Sequence, residues 1–189
     1  MSTPAETLLE ASLHEEDSLP NGTITNRLDF PLTQCLLAYG NWAYNLDTLA
    51  PGETVRVGPS LKRRELKTLL TGRKLIFDEA EDKFRQQTTP YDQAGVDVAY
   101  IVRAMMFFDA AGGRRYTGLW NRYQAFVDLS HLLKTNRAVL IAVPAGDTPA
   151  GEHAGAVLLR DGRPVATPGD RHATVYRFVF PVQHESSGS

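Results

Sequence analysis

Leu36-Leu37-Ala38-Tyr39-Gly40-Asn41-Trp42-Ala43-Tyr44 is the stretch on which the fold turns. Two apolar and aromatic runs flank a Gly-Asn pair. A glycine at the first central position suits a two-residue type II′ hairpin, because it adopts positive φ at no steric cost. In that register Tyr39 faces Trp42 and Leu37 faces Tyr44, and cross-strand aromatic pairs contribute about 0.2–1 kcal/mol each. The hairpin is therefore a local anchor of a sheet, and the chain is expected to be mainly β.

Working outward, strand periodicity continues on both sides. Ile24, Asn26, Leu28, Phe30 and Leu32 share one face, with Thr23, Thr25, Arg27 and Asp29 on the other, the alternation of a half-buried strand. Asn21-Gly22 ahead of it reads as a turn. The sequon Asn21-Gly22-Thr23 would accept a glycan only in a secreted eukaryotic protein. Pro51-Gly52 turns the chain again before Val55 and Val57. Strand character returns over residues 125–129 and 139–143, and Asp161-Gly162 supplies the positive φ of a type I′ hairpin. Tyr176, Phe178, Phe180 and Val182 then share one face of a last strand.

Between these two groups of strands the period becomes helical. Ser60 is placed to cap a helix carrying Leu61, Leu66, Leu69 and Leu70, which Gly72 ends. A second helix is expected over residues 77–86, and residues 88–91 read as a loop. A third, capped by Asp97, carries Val98, Ile101, Val102, Met105, Met106 and Phe108 and stops at Gly112-Gly113. Leu119 and Trp120 extend the helical part. About eight short strands, four before this block and four after it, predict one antiparallel β-sandwich over residues 21–183 with a helical insertion at about 60–121. Residues 1–20, with Leu8, Leu9 and Leu13 among acidic neighbours, read as an arm with one weak helix, and residues 184–189 as a disordered tail.

Composition narrows the function classes. The 20 Lys and Arg nearly balance the 22 Asp and Glu, so no general pull toward nucleic acid or an anionic membrane exists, and no nucleic-acid partner is expected. Cys35 is the single cysteine, which excludes an intrachain disulfide and leaves a cysteine-based zinc site short of ligands. No apolar run approaches the ~20 residues of a membrane span, and the first residues lack the layout of a signal peptide. The five histidines are scattered without metal-ligand spacing, and no glycine-rich segment matches a phosphate cradle. Neither metal nor cofactor is expected.

Three sets of residues carry chemistry. Asp128, Ser130 and His131 are the residue types of a hydrolytic triad, but neighbours on a strand point in alternate directions, which suits turn capping better. Tyr39, Trp42 and Tyr44 could form a carbohydrate-stacking platform if exposed, and core packing is the plainer reading. Lys62, Arg63, Arg64, Lys67, Arg73 and Lys74 form a basic cluster, and Arg114 and Arg115 a second. Of these, Lys62, Arg63, Lys67, Arg114 and Arg115 are the expected partner-binding residues.

The segments Gly22-Thr23-Ile24-Thr25-Asn26, Leu37-Ala38-Tyr39-Gly40 and Leu49-Ala50-Pro51-Gly52, with Ala138-Val139-Leu140-Ile141-Ala142 and Tyr176-Arg177-Phe178-Val179-Phe180-Pro181, resemble the C-terminal extracytoplasmic domains of large bacterial membrane-anchored proteins. The resemblance implies an immunoglobulin-like sandwich outside the membrane, with a cytoplasmic adaptor as the alternative. It transfers no catalytic residue. The expected function is a non-catalytic binding or scaffolding module for a protein or envelope polysaccharide, against the alternatives of a hydrolase using Asp128, Ser130 or His131 and a carbohydrate-binding module.

Overall fold

The computed structural model describes residues 8–72, 74–78, 82–87, 98–119, 122–145, 159–160, 163–164 and 174–184. Its strands are β1 (Leu9–Glu16), β2 (Leu19–Asn26), β3 (Leu32–Tyr39), β4 (Trp42–Leu49), β5 (Thr54–Val57) and β6 (Arg63–Glu65). Helix α1 (Leu66–Thr71) and the hairpin β7 (Lys74–Asp78) and β8 (Lys83–Gln87) follow. Then come α2 (Val98–Met106), α3 (Arg114–Thr117), α4 (Gln124–Val127) and a 3-10 turn over Leu132–Lys134. The strands β9 (Arg137–Pro144), β10 (Leu159–Arg160), β11 (Arg163–Pro164) and β12 (Tyr176–His184) end the described chain.

The β3–β4 hairpin has the expected register. Tyr39 pairs with Trp42 and Leu37 with Tyr44, and Gly40 takes φ 54° at the first turn position. The chain is mainly β, but its strands do not divide into two facing sheets. Eight of them form one curled, half-barrel sheet in the order β5-β2-β1-β12-β9-β3-β4-β6. Every pairing in it is antiparallel except β1 with β12, which run parallel with Leu13 opposite Val182. A single sheet with an apolar inner face must curl to bury that face on itself, which is how Ile24 and Val57 from one end join the core of Leu37, Tyr44 and Leu49 from the other.

The arm expected over residues 1–20 is instead structural from Leu9 onward. Leu9 and Leu13 lie four apart, which fits a strand face as well as a helix face, and both are buried in the inner core. The turn expected at Asn21-Gly22 lies inside β2, and the chain reverses at Asp17-Ser18, with φ of 50° and 62°. Two left-handed residues are what a type I′ hairpin requires, and a short polar Asp accepts that conformation without glycine.

The segment from 60 to 121 is less helical than its leucines suggest. The first half of the expected helix from Ser60 is the short edge strand β6, and α1 starts only at Leu66. Of the residues expected as a second helix, 77–78 and 83–86 lie in the paired strands β7 and β8, with Phe77 opposite Phe84, and 79–81 lie outside the described residues. Residues 125–129, expected as a strand, fall mostly in α4. Asp97, Trp120, residues 88–91 and the Asp161-Gly162 turn lie outside the described residues. The two-residue gap between the paired β10 and β11 agrees with the expected hairpin.

Helix α2 packs against the sheet, only in part by the side chains that gave it its helical period. Ala104, Met106 and, just beyond the helix, Phe107 and Ala111 are buried, while Ile101, Val102, Met105 and Phe108 are half-buried. With α1 and the 3-10 turn they cover the outer face of β3, β4 and β9 through Leu36, Ala38, Ala43, Val139 and Ile141. Strands β3 and β9 are thus buried on both faces, consistent with the unbroken apolar runs in their sequences. On the inner face Tyr176, Phe178 and Phe180 stack in a ladder with centroids 5.9 and 6.4 Å apart. His184, expected in the tail, closes β12.

Candidate functional site

Leu32 and Cys35 both face the inner core although they are three residues apart, and so do Leu46 and Leu49 on the neighbouring strand. A regular strand puts such residues on opposite faces. The conflict is resolved by two compensating bulges. β3 carries one extra residue between Leu32 and Cys35, β4 carries one between Asp47 and Asn45, and Gln34 and Asp47 take left-handed φ of 52° and 55°. Bulges re-aim backbone and side chains. Here the Gln34 carbonyl accepts a hydrogen bond from the Arg103 guanidinium at 2.6 Å, and the Gln34 side-chain oxygen accepts another at 2.9 Å. The bulge therefore holds the one charged side chain of α2 against the sheet.

Beside this junction lies a cavity of about 480 Å³, within the range of small-molecule sites. Its floor is apolar: Leu36 and Ala43 from the sheet, Leu61, and Leu69 and Leu70 from α1. Its charged rim is unequal, with Lys62, Arg64 and Arg103 against the single carboxylate of Asp47. Asn45 completes the polar edge and donates to Asp47 at 2.6 Å. The cavity exists because α1 is only six residues long and β6 pairs with β4 only as far as Tyr44, leaving Asn45 and Asp47 exposed.

The expected partner-binding residues separate into three places. Lys62 lines the cavity, and Arg63 stacks over Trp42 with its guanidinium carbon 5.0 Å from the ring centroid. Lys67 is half-buried, its ammonium 3.8 Å from the Tyr116 ring centroid. Arg115 approaches the same ring at 5.9 Å, and Arg114 is exposed beside it. Gly112 permits this packing, since a Cβ there would meet Tyr116 Cδ2 at 2.8 Å and Lys67 Cε at 3.1 Å. The diglycine, expected only to stop a helix, also starts α3. Arg64 and Arg103 are the residues that sequence reasoning left out of the site. A lone charge in the apolar run of α2 was the available signal for Arg103.

The other candidates are occupied structurally. Tyr39 and Tyr44 are buried on the inner face, so no exposed three-ring platform exists. Tyr39 donates its hydroxyl to Glu15, and burial together with that carboxylate pushes the phenol well above its ordinary range. Ser130 is buried, donates to Asp128 at 2.5 Å and accepts the Ala110 amide at 2.9 Å. Asp128 also accepts the Asp109 amide at 3.0 Å. The pair caps the end of the α2 segment, while His131 is exposed at the start of the 3-10 turn. Among the described residues, no three His, Cys, Asp or Glu converge as metal ligands, and no helix is long and apolar enough to cross a membrane.

No curated protein and no solved structure matches the chain. A family model does, over residues 8–143, a span that runs from β1 to β9 and contains every residue lining the cavity. Covering well over half of the sequence, this match makes the chain a member of the family described as a domain of unknown function, DUF8725.

Proposed function

We propose that this chain is a non-catalytic binding module whose recognition surface is the cationic outer face around β6 and α1. The observation that carries this reading is the convergence of Lys62, Arg64 and Arg103 on one concave site, while Ser130 and Asp128 are spent on backbone amides. A buried serine that donates to a carboxylate, and not to a base nitrogen, lacks the arrangement of an activated nucleophile. Lys62, Arg63 and Arg64 are exposed in one short run, which favours an acidic partner. The resemblance to extracytoplasmic domains supports placement in a bacterial envelope protein and makes an acidic envelope polysaccharide the partner class to test first. The immunoglobulin-like expectation is kept as a likeness of the core, in which opposite ends of the curled sheet face each other, and not of the strand order.

The experiment is retention of the full chain on immobilised acidic and neutral envelope polysaccharides, run beside an esterase and phosphatase screen. Retention on the acidic polymers should be lost in the double variant Lys62→Glu, Arg63→Glu, whose side chains are exposed, with the melting temperature lowered only slightly by the lost stacking of Arg63 on Trp42. Equal retention of variant and native protein would reject the surface. Turnover that disappears in Ser130→Ala or His131→Ala would reject the non-catalytic reading.

A further inference from the structure

We infer that the cavity between β4, the residues leading into α1, and α2 binds an amphipathic monoanion: one carboxylate or phosphate head on an apolar body. This inference deepens the binding-module reading and rests on it. The floor offers Leu36, Leu61, Leu69 and Leu70 with no charged group among them, and such a surface is filled favourably by hydrocarbon. Even with Arg103 left out of the count, Lys62 and Arg64 against the one Asp47 carboxylate leave the rim net positive, which favours an anion at the polar end of the occupant. Arg103 enters this rim from α2 already fixed by two hydrogen bonds to Gln34. Its position does not have to be organised when the ligand arrives, which lowers the entropic cost of binding. An apolar floor beside a charged rim suits one anionic head, while a polymer of many charges would run along the exposed Lys62, Arg63 and Arg64 outside the pocket.

Asp47 makes the inference testable by gain as well as loss. It is the one acidic group on the rim, it is exposed, and it sits at φ 55°, a conformation that asparagine adopts as readily as aspartate. Asp47→Asn therefore removes a repulsive charge without disturbing the bulge. Loss is tested at Arg64, an exposed residue of the edge strand β6.

The full chain is titrated with anilinonaphthalene sulfonate, an apolar ring system bearing one anionic group, and binding is read by fluorescence. The bound probe is then competed with decanoate, decyl phosphate, decanol and acetate. Decanoate or decyl phosphate should displace it at concentrations at least about tenfold lower than decanol, with acetate inert, as one charge-assisted contact implies. Whichever of the two anions competes at the lower concentration identifies the head group. Asp47→Asn should tighten anion binding by about fivefold, and Arg64→Glu should weaken it by about tenfold or more, both with unchanged melting temperature. Decanol equal to decanoate, or no gain in Asp47→Asn, would overturn the inference. If polysaccharide retention survives that result, only the pocket ligand is wrong. If retention fails and hydrolytic turnover appears, the binding-module reading itself is lost.

Discussion

Replacing Asn26 by alanine should be among the most damaging single changes in this fold. Asn26 is fully buried at the end of β2, and its side chain serves three backbone groups on two segments, the β2–β3 connection and β4. Its amide donates to the carbonyls of Leu49 at 2.9 Å and Phe30 at 3.1 Å, and its oxygen accepts the Leu28 amide at 3.0 Å. Its own main chain joins the same corner, donating to Glu53 and accepting from Gly52. An orphaned buried group costs about 1–3 kcal/mol, while the two partly buried bonds recover some of their loss from water. The sum is about 3–5 kcal/mol, a large share of the stability of a single domain. Urea unfolding followed by tryptophan fluorescence measures it. At a slope of about 2 kcal/mol per molar, the midpoint should fall by about 2 M. Asn26→Leu keeps the volume without the hydrogen bonds and should be no better. Near-native stability of the leucine variant would refute the account, because packing and not polar satisfaction would then hold the corner.

Gly22→Ala tests the hairpin that replaces the expected arm: its Cβ would lie 1.9 Å from the Ser12 carbonyl oxygen, at φ +143°. The variant should lose more than about 3 kcal/mol or fail to fold, and an unchanged urea midpoint would contradict the β1–β2 register. Burial pushes the Cys35 thiol up from its ordinary 9.0 to about 11. A raised folded-state pKa means that the stability it lends is whole below pH 9 and is lost as pH rises through 11. The urea midpoint should therefore fall between pH 9 and 11, and that fall should shrink in Cys35→Ala. The native thiol should also resist a disulfide reagent at pH 8 until the chain unfolds.

What could be read in advance was local. A glycine turn between aromatic runs specified the turn and tip register of β3–β4, though not that β3 begins at Leu32, and the alternation of Tyr176, Phe178, Phe180 and Val182 gave the inner face of β12. Long-range order was not legible, because the parallel pairing of β1 with β12 joins opposite ends of the described chain and leaves no turn signal between them. Glycine was also a poor guide where other residues took its conformation, as Asp17 and Ser18 did. The leucines of residues 61–70 fit helix and edge strand alike until β4 claimed Arg63 to Glu65. For the site, the basic run gave Lys62, but the cavity needed Arg103, and no spacing rule links residue 103 to residue 62.

The bulges were legible in principle, and they connect the core to the candidate site. Once Leu32 and Leu37 are assigned to one face, their odd separation demands an extra residue between them, and Leu46 with Leu49 repeats the demand on the neighbouring strand. Meeting it puts Gln34 and Asp47 into left-handed conformations, each costing roughly 1–2 kcal/mol for a residue with a Cβ. The inward register repays this, since a slip of either strand by one residue would turn Leu32 or Leu49 out of the core. The same two residues set the charges of the cavity, Gln34 by holding Arg103 and Asp47 by lining the rim. Those charges cannot move without unmaking the bulges, and the bulges cannot be unmade without repacking both strands. The cavity is therefore preformed by the register of the core, and a ligand that fits its charge pattern meets a site already in place.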